Sequence, residues 1–441
     1  MNTSGPVDFC EALEGDVAAL VAAVLSAADS RGLAVYAVGG PVRDLLLGFG
    51  LRDVDLLVEG EGAKALAEAA APADARLIRH DRFGTVLLQL GSARVDLSTT
   101  RRETYTHPGA LPRVEPGSLD EDLMRRDFSV NSLALPLSQS AREKYDQIID
   151  PDDGLDDLNK RRLRVLHPRS FHDDPTRVLR AARLAPRLGL SLTRGSRAVL
   201  RDALRDGAFG RVSGDRLRRE MMKVFGDAQY GLDPARALRL LSNWHVLGAL
   251  EPGLALEREV VVPLRRLGKA VASPPWRSSR WRSWTSGMSV WLAPLTPALR
   301  RRTLRRFSIR GDVAQRISRF PKTRDAWLKA LMRARGRGAI DSVLAPLTEE
   351  ELHALYAVAE PKARRRIVRF AREDRIRRVP ISGSDLVEVG LDGPALGRAL
   401  IRIRTAYLDG VLKNREEAIA LAREIARHRS PAKRKAKGRR R

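Results

Sequence analysis

Asp53 and Asp55, one residue apart in RDVDLLVEG, are the residues of this chain whose type and spacing most suggest chemistry. In a strand they share one face, with Val54 turned into the sheet. Carboxylates facing the same way repel unless a cation or a proton lies between them. Two hard oxygen donors on a rigid strand suit Mg²⁺, which prefers carboxylate and phosphate oxygens. Just ahead, Gly39 and Gly40 close an apolar strand, LAVYAVGG, and lead into PVRDLLLG, a helix with Pro41 in its first turn. A glycine turn at a helix start presents backbone N–H groups to phosphate, and Arg43 adds positive charge. A lone DxD or Gly-Gly pair is usually a turn or a strand end. Their combination within 17 residues points to a nucleotide and a metal instead.

The elements that must hold these residues read as a small α/β head. Residues 12–31 are amphipathic at helical spacing, and strands are expected at 33–38, 54–58, 84–90 and 93–98, with helices at 41–48 and 61–71. Asp96, between Val95 and Leu97 in the last strand, is the natural third carboxylate. Residues 104–121, rich in Pro and Gly, read as a long loop. EDLMRRDFSVNSLALPL follows as a short helix breaking into a strand, and it gathers Arg125, Arg126, Asp127 and Asn131 at the break. From Pro168 helical periodicity takes over. DDPTRVLRAARLAPRLGL has Asp at its start, Pro in its first turn and Gly189 near its end, and basic helices continue to about residue 430. Trp276, Trp281, Trp284 and Trp291 lie among Arg and Ser; core packing is expected for them ahead of base stacking.

Length and composition allow two to four compact units: 441 residues, 43 % apolar and only 5 % aromatic, so Leu, Val and Ala must fill the core. No stretch approaches the ~18 uncharged apolar residues of a membrane helix, and MNTSGPVDFCEALEGD lacks signal-peptide features. The single cysteine, Cys10, excludes an intrachain disulfide and a Cys-based zinc site. A cytoplasmic protein is expected. Charge is segregated: residues 1–135 carry 13 Lys or Arg against 20 Asp or Glu, a net of −7, whereas residues 136–441 carry 67 against 34, a net of +33. A carboxylate-bearing head on a cationic body suggests that the body holds a polyanion, RNA or DNA, while the head works on its end. The final stretch, HRSPAKRKAKGRRR, has eight Lys or Arg and no acid, and is expected to be a disordered tail over 428–441.

Taken in order, these blocks resemble the class II tRNA nucleotidyltransferases, the CCA-adding enzyme and bacterial poly(A) polymerase family of the polymerase-β superfamily. GGPVRDLLLG with DVD resembles the family's first motif. RRDFSVNSLA at 125–134 resembles the second, with Ser129 and Ser132 departing from the usual Thr and Ala. DPDDGLDDLNKRRLRVL resembles the head-to-neck segment, DDPTRVLRAARLAPRLGL the motif with an acid-Asp-x-x-Arg signature, and VSGDRLRREMMKVF a later neck motif with Asp215-Arg216 in place of Glu-Arg. The match is good over residues 33 to about 250 and weak beyond.

The resemblance implies an α+β fold: a polymerase-β-like nucleotidyltransferase head with a mixed sheet (1–155), a helical neck that selects nucleotide and binds RNA (156–255), and a helical RNA-binding body and tail (256–427). It implies attack of an RNA 3′-hydroxyl on the α-phosphate of ATP or CTP, assisted by two Mg²⁺ ions. Asp53 and Asp55 would ligate the metals, with Asp96 beside them. Gly39, Gly40 and Arg43 would meet the triphosphate, and Arg126, Asp127, Asn131 and Arg180 would contact the nucleotide. Asp174 and Arg177, three apart at a helix start and so on one face, would read the base edge. The partners implied are tRNA or other RNA 3′ ends, with ATP and possibly CTP, and no membrane. His245, His353 and His428 stand alone, so the phosphohydrolase domain of some relatives is not expected. Addition of CCA, of CC, of A alone or of a poly(A) tail all remain open, although GALPRVEPGS resembles loops of the A-adding and poly(A) branch. A non-catalytic RNA-binding protein and a small-molecule nucleotidyltransferase are the competing classes.

Overall fold

A computed structural model describes residues 9–51, 53–60, 62–80, 84–230, 232–271, 275–276 and 283–428. The chain divides into two compact units, one comprising residues up to 220 with 239–252, the other 221–238 with the chain from 253 onward.

In the first unit, α1 (Gly15–Asp29) buries Leu20, Val21, Val24 and Ala28, the spacing of a single apolar stripe. It is shorter than the expected 12–31 at both ends. β1 (Val35–Val38), α2 (Gly40–Leu46), β2 (Asp53–Val58) and α3 (Ala63–Ala70) follow, then β3 (Arg76–His80), β4 (Thr85–Leu90) and β5 (Ala93–Thr99). With β8 (Ala134–Pro136) they form a six-stranded mixed sheet ordered β3-β4-β5-β2-β1-β8, in which only β2 and β5 run parallel. Val54, Leu56 and Val58 of β2 and Val95 and Leu97 of β5 pack with α1 and α3 in one core, while Leu57 joins Tyr36, Val38, Leu119 and Leu123 on the opposite face. Each fully buried Leu or Val adds ~1.5–3 kcal/mol, so the register of β2 is strongly fixed, and with it the face of its acidic residues.

The expected loop at 104–121 is corrected. β6 (Arg101–Thr104) and β7 (Arg113–Pro116) pair antiparallel, leaving 105–112 as the loop, and α4 (Leu119–Met124) starts with a capping box of Ser118 and Glu121. Cross-strand charge, Arg102 with Glu115 at 3.0 Å, holds this hairpin in place of apolar alternation. α5 (Gln139–Lys144) and α6 (Gly154–Asn159) lead through β9 (Arg162–Leu163) to α7 (Ser170–Asp173) and α8 (Thr176–Leu188). Gly189 in the left-handed conformation ends α8. Then come β10 (Ser191–Leu192), parallel to β9, α9 (Arg194–Arg205) and α10 (Gly214–Gly226), whose residues from 221 onward belong to the second unit.

The second unit is helical among its described residues. Trp276 packs on the rings of His353 and Tyr356, with centroids 5.2 Å away in each case, and Trp291 on Phe225 and Phe307. Both tryptophans are core residues, as expected; Trp281 and the basic stretch 429–441 lie outside the described residues. No helix among the described residues is long and apolar enough to cross a membrane.

Candidate active site

The parallel pairing of β2 with β5 sets Asp55 directly beside Asp96 and Asp53 beside Arg94. Neighbouring strands lie about 4.8 Å apart. Because Val54, Leu56, Val95 and Leu97 occupy the core face, Asp55 and Asp96 emerge together on the other, Asp55 exposed and Asp96 partly so. Asp53 opens β2, and its side chain lies outside the described residues. Adjacent carboxylates on a rigid parallel ladder repel unless a cation neutralises them, and their hard oxygens are the donor set a divalent ion takes. Among the described residues no group of three or more Asp, Glu, His or Cys is placed to hold a metal ion.

Gly39 has φ +71° and ψ −121°, a conformation closed to residues with a side chain. A Cβ there would come within 2.7 Å of Arg126 Nη1. Its N–H donates to the Leu133 carbonyl at 2.9 Å, so within the turn it is Gly40, at the start of α2, whose N–H leads the helix. The glycine therefore permits close approach of Arg126 to the turn, while its own N–H is engaged within the head.

Arg43 is buried, paired with Asp44 at 2.6 Å and hydrogen-bonded to Asn131 Oδ1. Asn131 Nδ2 donates to Asp127 Oδ1 at 2.9 Å, and Arg180 lies 2.8 Å from Asp127 Oδ2. Burial alone would raise the Asp127 carboxyl; Arg180, Asn131, Arg177 and Arg43 together hold it below its ordinary range. The same carboxylate raises Arg180 above the usual guanidinium value. Asp44, Arg43, Asn131, Asp127 and Arg180 thus form one continuous polar chain linking α2, the segment after α4, and α8.

Helix α8 is stapled to the head by three arginines on one of its faces. Arg177 Nη2 donates to the Arg125 carbonyl at 2.8 Å, Arg180 pairs with Asp127, and Arg187 reaches Asp44 Oδ2 at 3.1 Å. Asp174 precedes the helix with extended backbone, and its carbonyl accepts from the Arg177 N–H at 3.0 Å. Asp174 Oδ1 accepts from Thr176 N and Oγ1 at 2.9 and 2.6 Å and pairs with Arg216 at 2.6 Å. Arg177 also donates to Ser170 Oγ at 2.7 Å.

Several residues escaped the sequence reading. Asp122, fully buried, holds both Arg125 and Arg126, at 2.7 and 3.0 Å. Its spacing of three and four residues before them on a helix was the available signal. Glu103 of β6 accepts from Arg125 and from the Tyr105 hydroxyl, which burial and then Glu103 make less acidic than usual. Arg187 had no signal; Asp44 and Arg216 stand in the quoted motifs, but only the tertiary fold brings Asp44 to Arg187 and Arg216 to Asp174.

Residues 35–164 match the family of poly A polymerase head domains. An A-adding tRNA nucleotidyltransferase of Geobacter sulfurreducens is 31 % identical over 415 residues, 90 % of this chain and 46 % of that protein. An A-adding tRNA nucleotidyltransferase of Halalkalibacterium halodurans is 27 % identical over 413 residues, 90 % of each. A CCA-adding enzyme in apo form II superposes with a TM-score of 0.70 at 27 % identity, covering 93 % of this chain and 96 % of that one. The chain spans less than half the length of the Geobacter relative. By these matches the chain shares the fold of CCA-adding enzymes, a mixed-sheet head with helices followed by a mostly helical remainder. The family match lies in the head, over residues 35–164, in keeping with the resemblance to class II tRNA nucleotidyltransferases. Enzymes of this kind generally use divalent metal ions.

Proposed function

We propose that this protein is a template-independent nucleotidyltransferase that adds C and/or A to the 3′ end of tRNA. The 3′-hydroxyl attacks the α-phosphate of CTP or ATP, and pyrophosphate leaves. The observation that carries the reading is the side-by-side placement of Asp55 and Asp96 on one open face of the head sheet. Asp53 and Asp55 are the proposed ligands of Mg²⁺, most simply two ions, with Asp96 placed beside the attacking hydroxyl. When bound, such ions supply activation of the hydroxyl and stabilisation of the leaving oxygen.

The chain's own residues bind and orient. Gly39 and Gly40 admit the triphosphate to the turn by having no side chains, Arg43 and Arg126 offset its charge, and Asp127, Asn131 and Arg180 hold ribose and phosphate. Asp174 accepts from the exocyclic amine shared by C and A, and Arg177 donates to the same base edge. On this reading residues 1–155 carry the chemistry, 156–255 choose the nucleotide, and 256–427 grip the RNA, in the cytoplasm.

The test is incorporation of each labelled nucleotide, with Mg²⁺, into tRNAs ending at the discriminator base, at C or at CC. Three ordered additions are expected of a CCA-adding enzyme. A narrower reading, addition of A alone to CC-ended tRNA, is favoured by the names of the Geobacter and Halalkalibacterium relatives. Long A tails on unstructured RNA would replace both with a poly(A) polymerase, and no incorporation from any mixture would leave an RNA-binding protein.

A further inference from the structure

Asp44 sits between two arginines on different helices. Its Oδ1 accepts from Arg43 Nε and Nη2, at 2.9 and 2.6 Å, and its Oδ2 from Arg187 Nη2 at 3.1 Å. Arg43 and Asp44 are consecutive in α2, and such neighbours do not face each other on a helix. Their pairing therefore needs the Asp44 carboxylate to be held against Arg43 from outside α2. Arg187, in the last turn of α8 and with its side chain 37 % exposed, is the group that does so. On its other side the Arg43 guanidinium donates through Nη1 to Asn131 Oδ1. Held at both ends, it engages one N–H on each of its three nitrogens with these partners. Among the described residues this leaves a second N–H on each terminal nitrogen for a ligand. Gly40, whose Cβ position lies 3.7 Å from Nη2, adds no side chain beside them.

Two guanidiniums around one carboxylate leave the group with net positive charge, and Asp44 divides its attraction between them. Without Arg187, Asp44 would neutralise Arg43 alone and would be free to turn away from it. We infer that Arg187 is a positioning residue for the triphosphate: through Asp44 Oδ2 it holds the Arg43 fork in place and keeps it electropositive. The inference rests on the reading of Arg43 as a triphosphate contact. It gives α8 two tasks, on the order of 15 Å apart along its axis. Arg177 serves the base edge from the first turn, and Arg187 serves the phosphates from the last.

The experiment measures, with Mg²⁺, the Kd of inorganic tripolyphosphate and of adenosine by calorimetry, and kcat and KM for ATP on CC-ended tRNA. The proteins compared are wild type, Arg187→Gln, Arg187→Lys, Arg43→Gln and the double variant Arg43→Gln/Arg187→Gln. Arg187→Gln is expected to raise the tripolyphosphate Kd and the KM about fivefold, the scale of a partly exposed charge pair, with kcat and the adenosine Kd near wild type. Arg187→Lys should recover part of the loss, because an ammonium keeps the charge without the planar fork, and it keeps the idea testable should Arg187→Gln not fold. In the Arg43→Gln background, Arg187→Gln should add nothing, since it acts only through Arg43. A wild-type tripolyphosphate Kd in Arg187→Gln, or the same loss repeated in the Arg43→Gln background, overturns the coupling and leaves the role of Arg43 standing. Adenosine binding weakened in step with tripolyphosphate would make Arg187 a mere staple of α8 and overturns it too. Tripolyphosphate binding that is absent from wild type, or unchanged in Arg43→Gln, overturns the triphosphate reading as well.

Discussion

In the head, Arg180 lies 2.8 Å from the Asp127 carboxylate and is held more basic than usual by it. In the helical unit, Arg300 is equally well bonded, by carbonyls in place of an acid. Its Nε donates to the Leu292 carbonyl at 3.0 Å, Nη2 to those of Ala293 and Leu295 at 2.9 and 2.6 Å, and Nη1 to that of Ser318 at 3.0 Å. Burial, with Arg324 nearby, makes it less basic. Arg266 does the same for the carbonyls of Ala357 and Ala359, and Arg366 for those of Leu331 and Ala334, each at the end of a helix. A carboxylate partner offsets the desolvation of a guanidinium and can leave N–H groups for a ligand. Carbonyl partners use those N–H groups up and close helix ends instead. Arginine counts in the second half of the chain therefore overstate the charge available to a polyanion, because part of it faces inward.

The sharpest way to break this contrast is to remove one member from each side of it. Asp55→Ala should lower nucleotide incorporation on the order of 1000-fold while RNA binding, measured by filter retention or anisotropy, stays close to wild type. Retained incorporation would remove the metal-site reading altogether. Arg300→Met should cost ~4 kcal/mol of stability in denaturant titration, since buried carbonyls lose their donors, yet leave the nucleotide preference of the folded protein unchanged. A change in preference would place Arg300 on the functional side of the comparison. Asp127→Asn is intermediate: it leaves the half-exposed Arg180 without its carboxylate, should lower stability by less than Arg300→Met, and should raise the KM for nucleotide as well.

The head was largely legible because its signals are local. The apolar runs of β1, β2, β4 and β5 and the turn at Gly39 fix themselves within a few residues, and Asp55 and Asp96 reach one face simply because the pleat alternates. β3, with the sequence RLIRH, lacks an apolar run, and the β6–β7 hairpin is held by alternating charge, so neither looked like a strand. The polar chain from Asp44 to Arg180 was half visible. Arg43, Asp127 and Asn131 stand in recognisable motifs, but their mutual bonds span up to 88 residues of sequence. Spacing placed Asp174 and Arg177 at one helix start, but not the bonds from Arg216 to Asp174 and from Arg177 to the Arg125 carbonyl, which come from 42 and 52 residues away in sequence.

A smaller effect separates the two units by their response to acid. His353 is fully buried among rings, and burial lowers its imidazole from 6.5 to about 3. A depressed group contributes stability that is complete above its unfolded value and is lost as pH falls toward the folded one, because the unfolded chain binds the proton first. The helical unit should therefore begin to lose stability as pH drops below 6.5. Asp127 is also depressed, from 3.8, so its contribution in the head persists until pH falls below that value. Urea titrations at pH 7, 5 and 3.5, followed by the fluorescence of Trp276, Trp291 and Trp327 in the helical unit, test this directly. His353→Leu should flatten the decline between pH 7 and 5, and Asp127→Asn should leave that interval untouched. Equal slopes for wild type and His353→Leu would mean that the acid response of the helical unit arises elsewhere.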